Sequence, residues 1–410
     1  MRAGLLGRKL GHTFSPRIHS FFGDYSYDLF EVEPEQLDAF MQGNAFDAMN
    51  VTIPYKKAVI PHCAELSPAA KAIGSVNTIV RRADGTLFGD NTDAAGFAAM
   101  LKKIGCSPAG KKALVLGSGG ASLTVQHVLR KAGAQVIVIS RSGENNYENL
   151  DCHADAAILV NTTPVGMYPH CGESAVDLKR LPRLEAVLDL IYNPARTKLL
   201  LDAQDRNIPC LGGLTMLVEQ ARAASERFTG ASIPMDKSDE VLQALQAETQ
   251  NIVLIGMPGC GKSSIGRILA RKTGRKLVDA DAAIVEKIGM SIPEYFAAHS
   301  EAEFRMVETE VLAELGKQSG LVIATGGGCV TQRRNLPLLR QNGKLFFLKR
   351  DLNLLPRAGR PLSQANSLEK MYEVRLPLYR AFADAEADNM GAPEACADKI
   401  LEVYHEISGD

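Results

Sequence analysis

The stretch Asn251-Ile252-Val253-Leu254-Ile255-Gly256-Met257-Pro258-Gly259-Cys260-Gly261-Lys262-Ser263 decides the reading of the second half of the chain. It opens with an apolar run of the kind that forms a buried parallel strand. It then fits G-x-x-x-x-G-K-[ST], after which Ile265, Ile268 and Leu269 share one helical face, with no Gly or Pro between Gly266 and Gly274. In the order strand, loop, helix, backbone N–H groups and the helix amino end surround a phosphate, a lysine reaches the outer phosphates, and a hydroxyl can ligate Mg²⁺. Gly256, Gly259, Cys260, Gly261, Lys262, Ser263 and Ser264 are therefore the candidate ATP-binding residues, with Ser263 as a candidate Mg²⁺ ligand.

Outward from this stretch, short apolar runs alternate with amphipathic ones. Leu114-Val115-Leu116, Val136-Ile137-Val138-Ile139, Val187-Leu188-Asp189, Leu321-Val322-Ile323 and Leu345-Phe346-Phe347-Leu348 all read as buried strands. This rhythm predicts an α/β protein of parallel sheets with crossover helices. The chain has 410 residues, more than one core normally serves, so at least two domains are expected. Between Thr229 and Asn251 the strand signal stops, and Asp236-Lys237-Ser238-Asp239 can begin one polar helix through Val241, Leu242 and Leu245, which places the main boundary near Gln250.

Lys+Arg 46 against Asp+Glu 47 leaves a net charge of -1, which provides no field for nucleic acid or an anionic membrane. No apolar run approaches the roughly 18 residues of a membrane span, and Arg2 and Arg8 interrupt the amino terminus too soon for a signal peptide. The eight cysteines form no Cys-x-x-Cys pair and read as reduced thiols of a cytoplasmic protein. The expected partners are small-molecule substrates.

A phosphate loop does not name its acceptor; the residues that accompany it do. Asp279-Ala280-Asp281 follows a strand ending at Val278, where one carboxylate can face Mg²⁺ and the other a substrate hydroxyl. Taken alone, such a pair is more often a solvated turn or a helix cap. Phe304-Arg305-x-x-Glu308, Gly326-Gly327-Gly328 after the strand Leu321 to Ala324, Arg360-Pro361-Leu362 and Arg375-Leu376-Pro377-Leu378-Tyr379 complete the set. In order and approximate spacing these motifs resemble the shikimate kinase family over essentially all of 251–410. The resemblance implies a P-loop α/β/α domain in which Asp279 helps hold Mg²⁺ and Asp281 orients or deprotonates the acceptor hydroxyl. Arg305 and Arg375 would bind the substrate carboxylate by bidentate hydrogen bonds. Gly326, Gly327 and Gly328 would let backbone approach the ring, and Arg360, with Arg357, would come from a lid over the transferring phosphoryl group. The segments on either side of Arg360 are short for the family.

In the first half, a strand from Lys112 to Leu116 runs into Gly117-Ser118-Gly119-Gly120-Ala121-Ser122, a dinucleotide loop in which Ser122 stands where a final Gly or Ala is expected. A helix from Gly120 to Lys131 and a strand from Gln135 to Ile139 complete a βαβ unit. That strand ends at Ser140-Arg141-Ser142 with no acidic residue for a ribose 2′-hydroxyl, so Arg141 favours a 2′-phosphate and hence NADP.

Polar clusters flank this unit: Thr13-Phe14-Ser15-Pro16, Asn50-Val51-Thr52-Ile53-Pro54-Tyr55-Lys56, Val76-Asn77-Thr78, Gly89-Asp90-Asn91-Thr92-Asp93, Val165-Gly166-Met167, Tyr192-Asn193-Pro194 and Gly213 through Gln220. A lone lysine or aspartate is usually a solvated surface residue. The combination resembles the shikimate dehydrogenase family from about residue 4 to 248. The resemblance implies an α/β substrate domain at 1–104 and 213–248 around a Rossmann domain at 105–212. Lys56 and Asp93 would be the acid–base pair, and Thr13, Ser15, Thr52, Asn77, Tyr192 and Gln220 would hold the substrate. Gly117, Ser118, Gly119, Gly120, Ala121, Arg141, Met167 and Gly213 would meet NADP. Thr13 replaces the first serine of the family's Ser-x-Ser pair, and Leu123 stands where many members carry a basic residue.

The two resemblances imply one bifunctional shikimate-pathway enzyme: NADPH-dependent reduction of 3-dehydroshikimate, then ATP- and Mg²⁺-dependent phosphorylation of shikimate. Each supports the other, because the hydroxyl made by the first reaction is the one phosphorylated by the second. Two other readings stand beside it: a dehydrogenase that also takes quinate, which Thr13 permits, and a ligand-sensing regulator with one inactive half.

Overall fold

A computed structural model describes residues 1–11, 13–355 and 368–408. The chain forms two compact units, one of Met1–Gly166, Glu173–Tyr192 and Asp202–Leu242, the other of Met167–Gly172, Asn193–Leu201 and Gln243–Asp410.

The first unit contains two sheets. One is mixed, in the order Ser26–Glu31, Arg2–Gly7, Ala48–Val51, Thr78–Arg81, Leu87–Asp90, Glu65–Leu66. The strands before Thr78 are parallel, and the Thr78–Arg81 strand is antiparallel to both of its neighbours. Leu6, Phe46, Met49 and Ile79 fill the core beneath this sheet. Its strand ends carry the polar clusters: Asn50 lies on one strand, Thr78 begins the next, and Asp90 closes a third.

Helix Asp93–Lys103 packs closely on helix Leu214–Thr229. Gly96 permits this, since a Cβ there would stand 2.6 Å from the carbonyl oxygen of Met216. The returning helix thus belongs beside the mixed sheet even though a second sheet intervenes in sequence.

That second sheet is wholly parallel, in the order Cys210–Leu211, Ala186–Asp189, Ile158–Asn161, Lys112–Leu116, Gln135–Ile139. Its central strands have buried runs such as Ala113 to Leu116, as expected where helices cover both faces. The expected strand, helix and strand of the βαβ unit occur at Lys112–Leu116, Gly120–Lys131 and Gln135–Ile139.

The second unit holds a five-stranded parallel sheet in the order Lys276–Asp279, Leu321–Ala324, Asn251–Ile255, Gly343–Lys349, Ala385–Asp388. The phosphate-loop strand is central and every one of its residues is buried. Helices Lys262–Thr273, Glu301–Lys317, Leu368–Phe382 and Pro393–Ile407 cover the sheet, and their apolar faces share one core with it. Ahead of the sheet, the expected polar helix runs over Met235–Thr249, with Val241, Leu242 and Leu245 buried. Among the described residues no helix is long and apolar enough to cross a membrane.

Candidate functional site

The candidate residues fall into two groups, one in each unit. In the first unit, the turn after strand Ala48–Val51 presents Lys56, and the first turn of helix Asp93–Lys103 presents Asp93. Lys56 Nζ donates to Asp93 Oδ2 at 2.6 Å, with the two side chains 32% and 17% exposed, so the pair is shielded yet open to a small molecule. Asn77 Nδ2 faces Gln220 Oε1 at 3.5 Å.

The orientation of the Asn77 amide is fixed by its neighbours. Its Oδ1 accepts from the backbone N–H of Thr92 at 2.7 Å and from the Thr78 hydroxyl at 3.0 Å. A backbone N–H can only donate, so the carbonyl must lie on that side and the NH₂ must face outward. Behind it, Tyr27 donates to Asn50 Oδ1 at 2.8 Å, and Asn50 Nδ2 donates to Thr78 Oγ1 at 3.3 Å. Sequence reasoning named Asn77 but not this support, which depends on strand register rather than on any local pattern.

Thr13 Oγ1 donates to Ser15 Oγ at 3.0 Å, and Ser15, 8% exposed, opens helix Ser15–Phe22. Thr52 is half-buried beside Gly7. Tyr192 is half-exposed with its ring edge-on to Phe14, and burial raises its phenol pKa.

The dinucleotide loop has the features that a pyrophosphate requires. Gly117 has φ 98°, in the left-handed region, and a Cβ there would meet Thr163 Cγ2 at 2.9 Å. At Gly119 and Gly120 a Cβ would meet nothing within 4 Å, which leaves open space before the helix amino end. Ser118 and Ala121 are exposed at this mouth. Ser122 is fully buried and donates to the Gly117 carbonyl at 2.7 Å, so its hydroxyl closes the loop where a smaller residue was expected. Arg141 is exposed beyond strand Gln135–Ile139. At Gly213 a Cβ would fall 2.0 Å from the Leu190 carbonyl oxygen, so a side chain is excluded by backbone. Met167 is 45% exposed and groups with the second compact unit.

In the second unit a cavity of about 690 Å³ is lined by the phosphate loop, Asp279, Asp281, Arg305, Glu308, Gly326, Gly327, Gly328 and Arg375. Gly261 has φ 103°, and a Cβ there would stand 2.5 Å from Asn389 Nδ2, which itself donates to the Cys260 carbonyl. Lys262 folds back into its own loop, donating to the carbonyls of Gly256 at 2.8 Å and Met257 at 3.0 Å. Ser263 donates to Asp279 Oδ2 at 2.6 Å. Asp279 Oδ1 meanwhile caps helix Ala280–Ile288 through the N–H of Asp281 at 3.0 Å. The helix-cap reading and the ligand reading of Asp279 therefore use different oxygens. A hydroxyl and a carboxylate in contact form a hard oxygen donor set that suits Mg²⁺.

The triple glycine has a further reason to lack side chains. A Cβ at Gly326 would stand 2.8 Å from both Asp281 Oδ1 and Glu308 Oε1, one at Gly327 2.6 Å from Pro258 Cδ, and one at Gly328 2.2 Å from Arg305 Nη2. The space a side chain would need is taken by the protein's own polar groups and proline, while the three glycines line the cavity. Arg305 donates to Glu308 at 2.8 Å and to Glu301 at 3.0 Å, and its Nε has no partner among the described residues. Burial pushes the Glu308 carboxyl pKa up and the nearby Asp281 charge adds to this, against the pull of Arg305. Arg375 donates to the Gly327 carbonyl at 3.1 Å, and Tyr379, whose phenol is driven well up by burial, donates to the same oxygen. Ile292 and Phe296, one helical turn apart, with Met371, supply an apolar wall that sequence reasoning did not name. Arg360 and Arg357 lie outside the described residues.

The model of the shikimate dehydrogenase substrate-binding domain matches residues 5–79, and that of shikimate kinase matches residues 258–405. A shikimate dehydrogenase (NADP(+)) of Clostridium perfringens is 36% identical over 264 residues, covering 58% of this chain and 94% of that relative. The chain belongs to the shikimate dehydrogenase family. It carries a shikimate kinase domain as well, so it joins two enzymes of one pathway.

Among solved structures, a chorismate mutase/shikimate 5-dehydrogenase fusion protein from Clostridium acetobutylicum is similar at 35% identity and a TM-score of 0.56, covering 60% of this chain and 96% of that one. The shikimate 5-dehydrogenase of Thermus thermophilus, solved with NADP(H) and shikimate, is similar at 32% identity and a TM-score of 0.54, covering 58% and 97%. The Rossmann-like sheet of this shikimate dehydrogenase part is therefore the family's, and the phosphate-loop sheet is that of the kinase part.

Proposed function

We propose that the chain reduces 3-dehydroshikimate to shikimate with NADPH and phosphorylates shikimate with ATP and Mg²⁺. The observation that carries this reading is that the shielded Lys56–Asp93 pair and the cavity joining the phosphate loop to Asp281, Arg305 and Arg375 occur on one chain. A regulator with an inactive half is not favoured, since Lys56 and Asp93 on one side and Lys262, Ser263, Asp279, Asp281, Arg305 and Arg375 on the other are all present. A quinate-accepting dehydrogenase is not favoured either.

The site assignments follow from the chemistry. NADPH supplies a hydride to the substrate carbonyl carbon, and the oxygen that gains charge needs a proton. Lys56, held by Asp93, donates it. The outward NH₂ of Asn77 donates to a substrate oxygen, with Thr13, Ser15, Thr52, Tyr192 and Gln220 around the ring. The loop Gly117 to Ala121 takes the pyrophosphate and Arg141 the 2′-phosphate, with Gly213 near the nicotinamide.

In the kinase part, ATP supplies the phosphoryl group. Lys262 leaves its loop carbonyls for the outer phosphates, and Ser263 and Asp279 hold Mg²⁺. Asp281 receives the proton of the attacking hydroxyl, and Arg305 and Arg375 hold the substrate carboxylate. The bonds of Arg305 to Glu308 and Glu301 and of Arg375 to the Gly327 carbonyl support this, because each guanidinium is held before substrate arrives, and Arg305 Nε keeps a donor to spare.

We assign 1–104 and 213–248 to the dehydrogenase substrate domain, 105–212 to its Rossmann domain and 251–410 to the kinase domain. Each range contains one complete sheet, which supports the division. The same reading takes the protein as cytoplasmic.

One incubation tests the function. With 3-dehydroshikimate, NADPH and ATP–Mg²⁺ present together, nicotinamide absorbance should fall and ADP should appear, and ADP should also appear when shikimate replaces the first two. Failure of either signal removes the corresponding half of the reading.

A further inference from the structure

Asp90 and Arg227 form an ion pair that the proposed chemistry does not use. Asp90 ends strand Leu87–Asp90, just ahead of Asp93, and its side chain is only 8% exposed. Three of its about four acceptor sites are engaged: Oδ1 accepts from Ser67 Oγ at 2.5 Å and from the N–H of Asn91 at 2.7 Å, and Oδ2 accepts from Arg227 Nε at 2.8 Å. Ser67 in turn caps helix Pro68–Ile73, accepting from the N–H of Ala70 at 3.1 Å.

Arg227 stands in the last turn of helix Leu214–Thr229, seven residues beyond Gln220. Seven residues make almost two full turns, so both side chains leave the same helix face about 10.5 Å apart along the axis. The face that carries Gln220 to Asn77 is therefore fastened, two turns on, to the strand that leads into Asp93. Packing through Gly96 brings the two helices close but is not directional, whereas the charge-assisted bond from Arg227, itself 56% exposed, to the buried Asp90 carboxylate is directional and constrains the helix's rotation and axial register.

We propose that Arg227 is a positioning residue of the dehydrogenase: through Asp90 it sets helix Leu214–Thr229 so that Gln220 reaches the substrate ring. The inference rests on the reading of the first unit as a 3-dehydroshikimate reductase. An ordinary surface ion pair would change stability alone. A positioning pair changes substrate affinity through Gln220, and if Gln220 binds ground and transition states alike, KM rises while kcat holds.

The test uses the full chain. Arg227→Met and Asp90→Asn should each raise KM for 3-dehydroshikimate by about threefold to tenfold, with kcat, the KM for NADPH and the kinase activity held. Arg227→Lys, which keeps the charge, should recover most of the loss and serves if Asp90→Asn folds poorly. In a Gln220→Ala background, Arg227→Met should add nothing further. An unchanged KM in Arg227→Met, or an effect that persists without Gln220, overturns the inference while reduction by the unsubstituted chain still stands. If the unsubstituted chain does not reduce 3-dehydroshikimate, the functional reading falls and the inference falls with it.

Discussion

Lys56 and Asp93 come from different elements of the mixed-sheet region, a turn after one strand and the first turn of a helix after another, and they meet at 2.6 Å with both side chains partly shielded. Neither would be notable alone. Their contact fixes the ammonium group at one point, where it can serve a single developing oxyanion.

Replacing either Lys56 or Asp93 by Ala should lower kcat for reduction by about 10²- to 10⁴-fold, the range for a positioned general acid. Phosphorylation of supplied shikimate should be unchanged. Near-normal reduction by both variants, followed at 340 nm with about saturating NADPH, would exclude the pair from the proton transfer.

Lys262 poses the converse case. Its ammonium is buried against the carbonyls of Gly256 and Met257, so it also neutralises the loop's own dipoles. Lys262→Met should lower kinase turnover by about 10³-fold or more while reduction continues, as expected when charge is removed from a transferring phosphate. A parallel loss of both activities in folded protein would contradict separate sites.

Gly328 is held to glycine by a neighbouring side chain. Its Cβ would fall among the guanidinium atoms of Arg305, at 2.2 to 2.5 Å, and Arg305 is held by Glu308 and Glu301. Gly328→Ala must displace that guanidinium. Loss of a charged hydrogen bond is worth about 1.5–3 kcal/mol, so kcat/KM for shikimate should fall at least about tenfold, mainly through KM, with KM for ATP little changed. Unchanged shikimate kinetics would show that Arg305 does not contact substrate.

The contrast marks where sequence reading ends. The phosphate loop, the βαβ unit and the strands around them were legible because each is set by neighbours within a few residues: an apolar run, glycines, a helical face. The roles of Ser122, Asn77 and the triple glycine were not, since each depends on groups brought in by folding. Ser122 closes on Gly117 only because the helix begins there, Asn77 is oriented by Thr92 and Thr78 across two strands, and Gly328 is excluded a side chain by Arg305 from a distant helix. The Asp90–Arg227 pair has no sequence signature at all, because its partners are separated by an entire sheet.

His19 gives a stability prediction with a definite sign. It is 1% exposed, stacked on Tyr27 and bonded through Nδ1 to Tyr25, and burial lowers its pKa from 6.5 to about 3. The unfolded chain therefore binds a proton between these values that the folded chain refuses. This contribution is fully present above pH 6.5 and is lost as pH falls towards 3, at up to about 1.4 kcal/mol per pH unit. Urea unfolding between pH 7.5 and 4.5 should show the decline, and His19→Gln, though less stable at pH 7.5, should have a shallower slope. An equal slope in both proteins would mean that His19 does not titrate on unfolding.

Arg141 decides how far the nicotinamide cofactor is chosen by charge. It is exposed just beyond the second strand of the βαβ unit, where the strand end offers Ser140 and Ser142 and no carboxylate. An acidic residue there would bond a ribose 2′-hydroxyl and repel a 2′-phosphate; an arginine does the opposite. Being exposed, Arg141 can meet a bound phosphate without prior rearrangement, and its charge is screened by salt when the phosphate is absent. Arg141→Ala should therefore raise KM for NADPH about tenfold or more at low ionic strength, in line with a lost charge-assisted hydrogen bond, and leave KM for NADH near its starting value. Added salt should shrink the difference between the parent and the variant, because it weakens only the contact that the variant lacks. Equal weakening of both cofactors would make Arg141 a structural residue of the turn, and the preference for NADP would then have to come from the missing carboxylate alone.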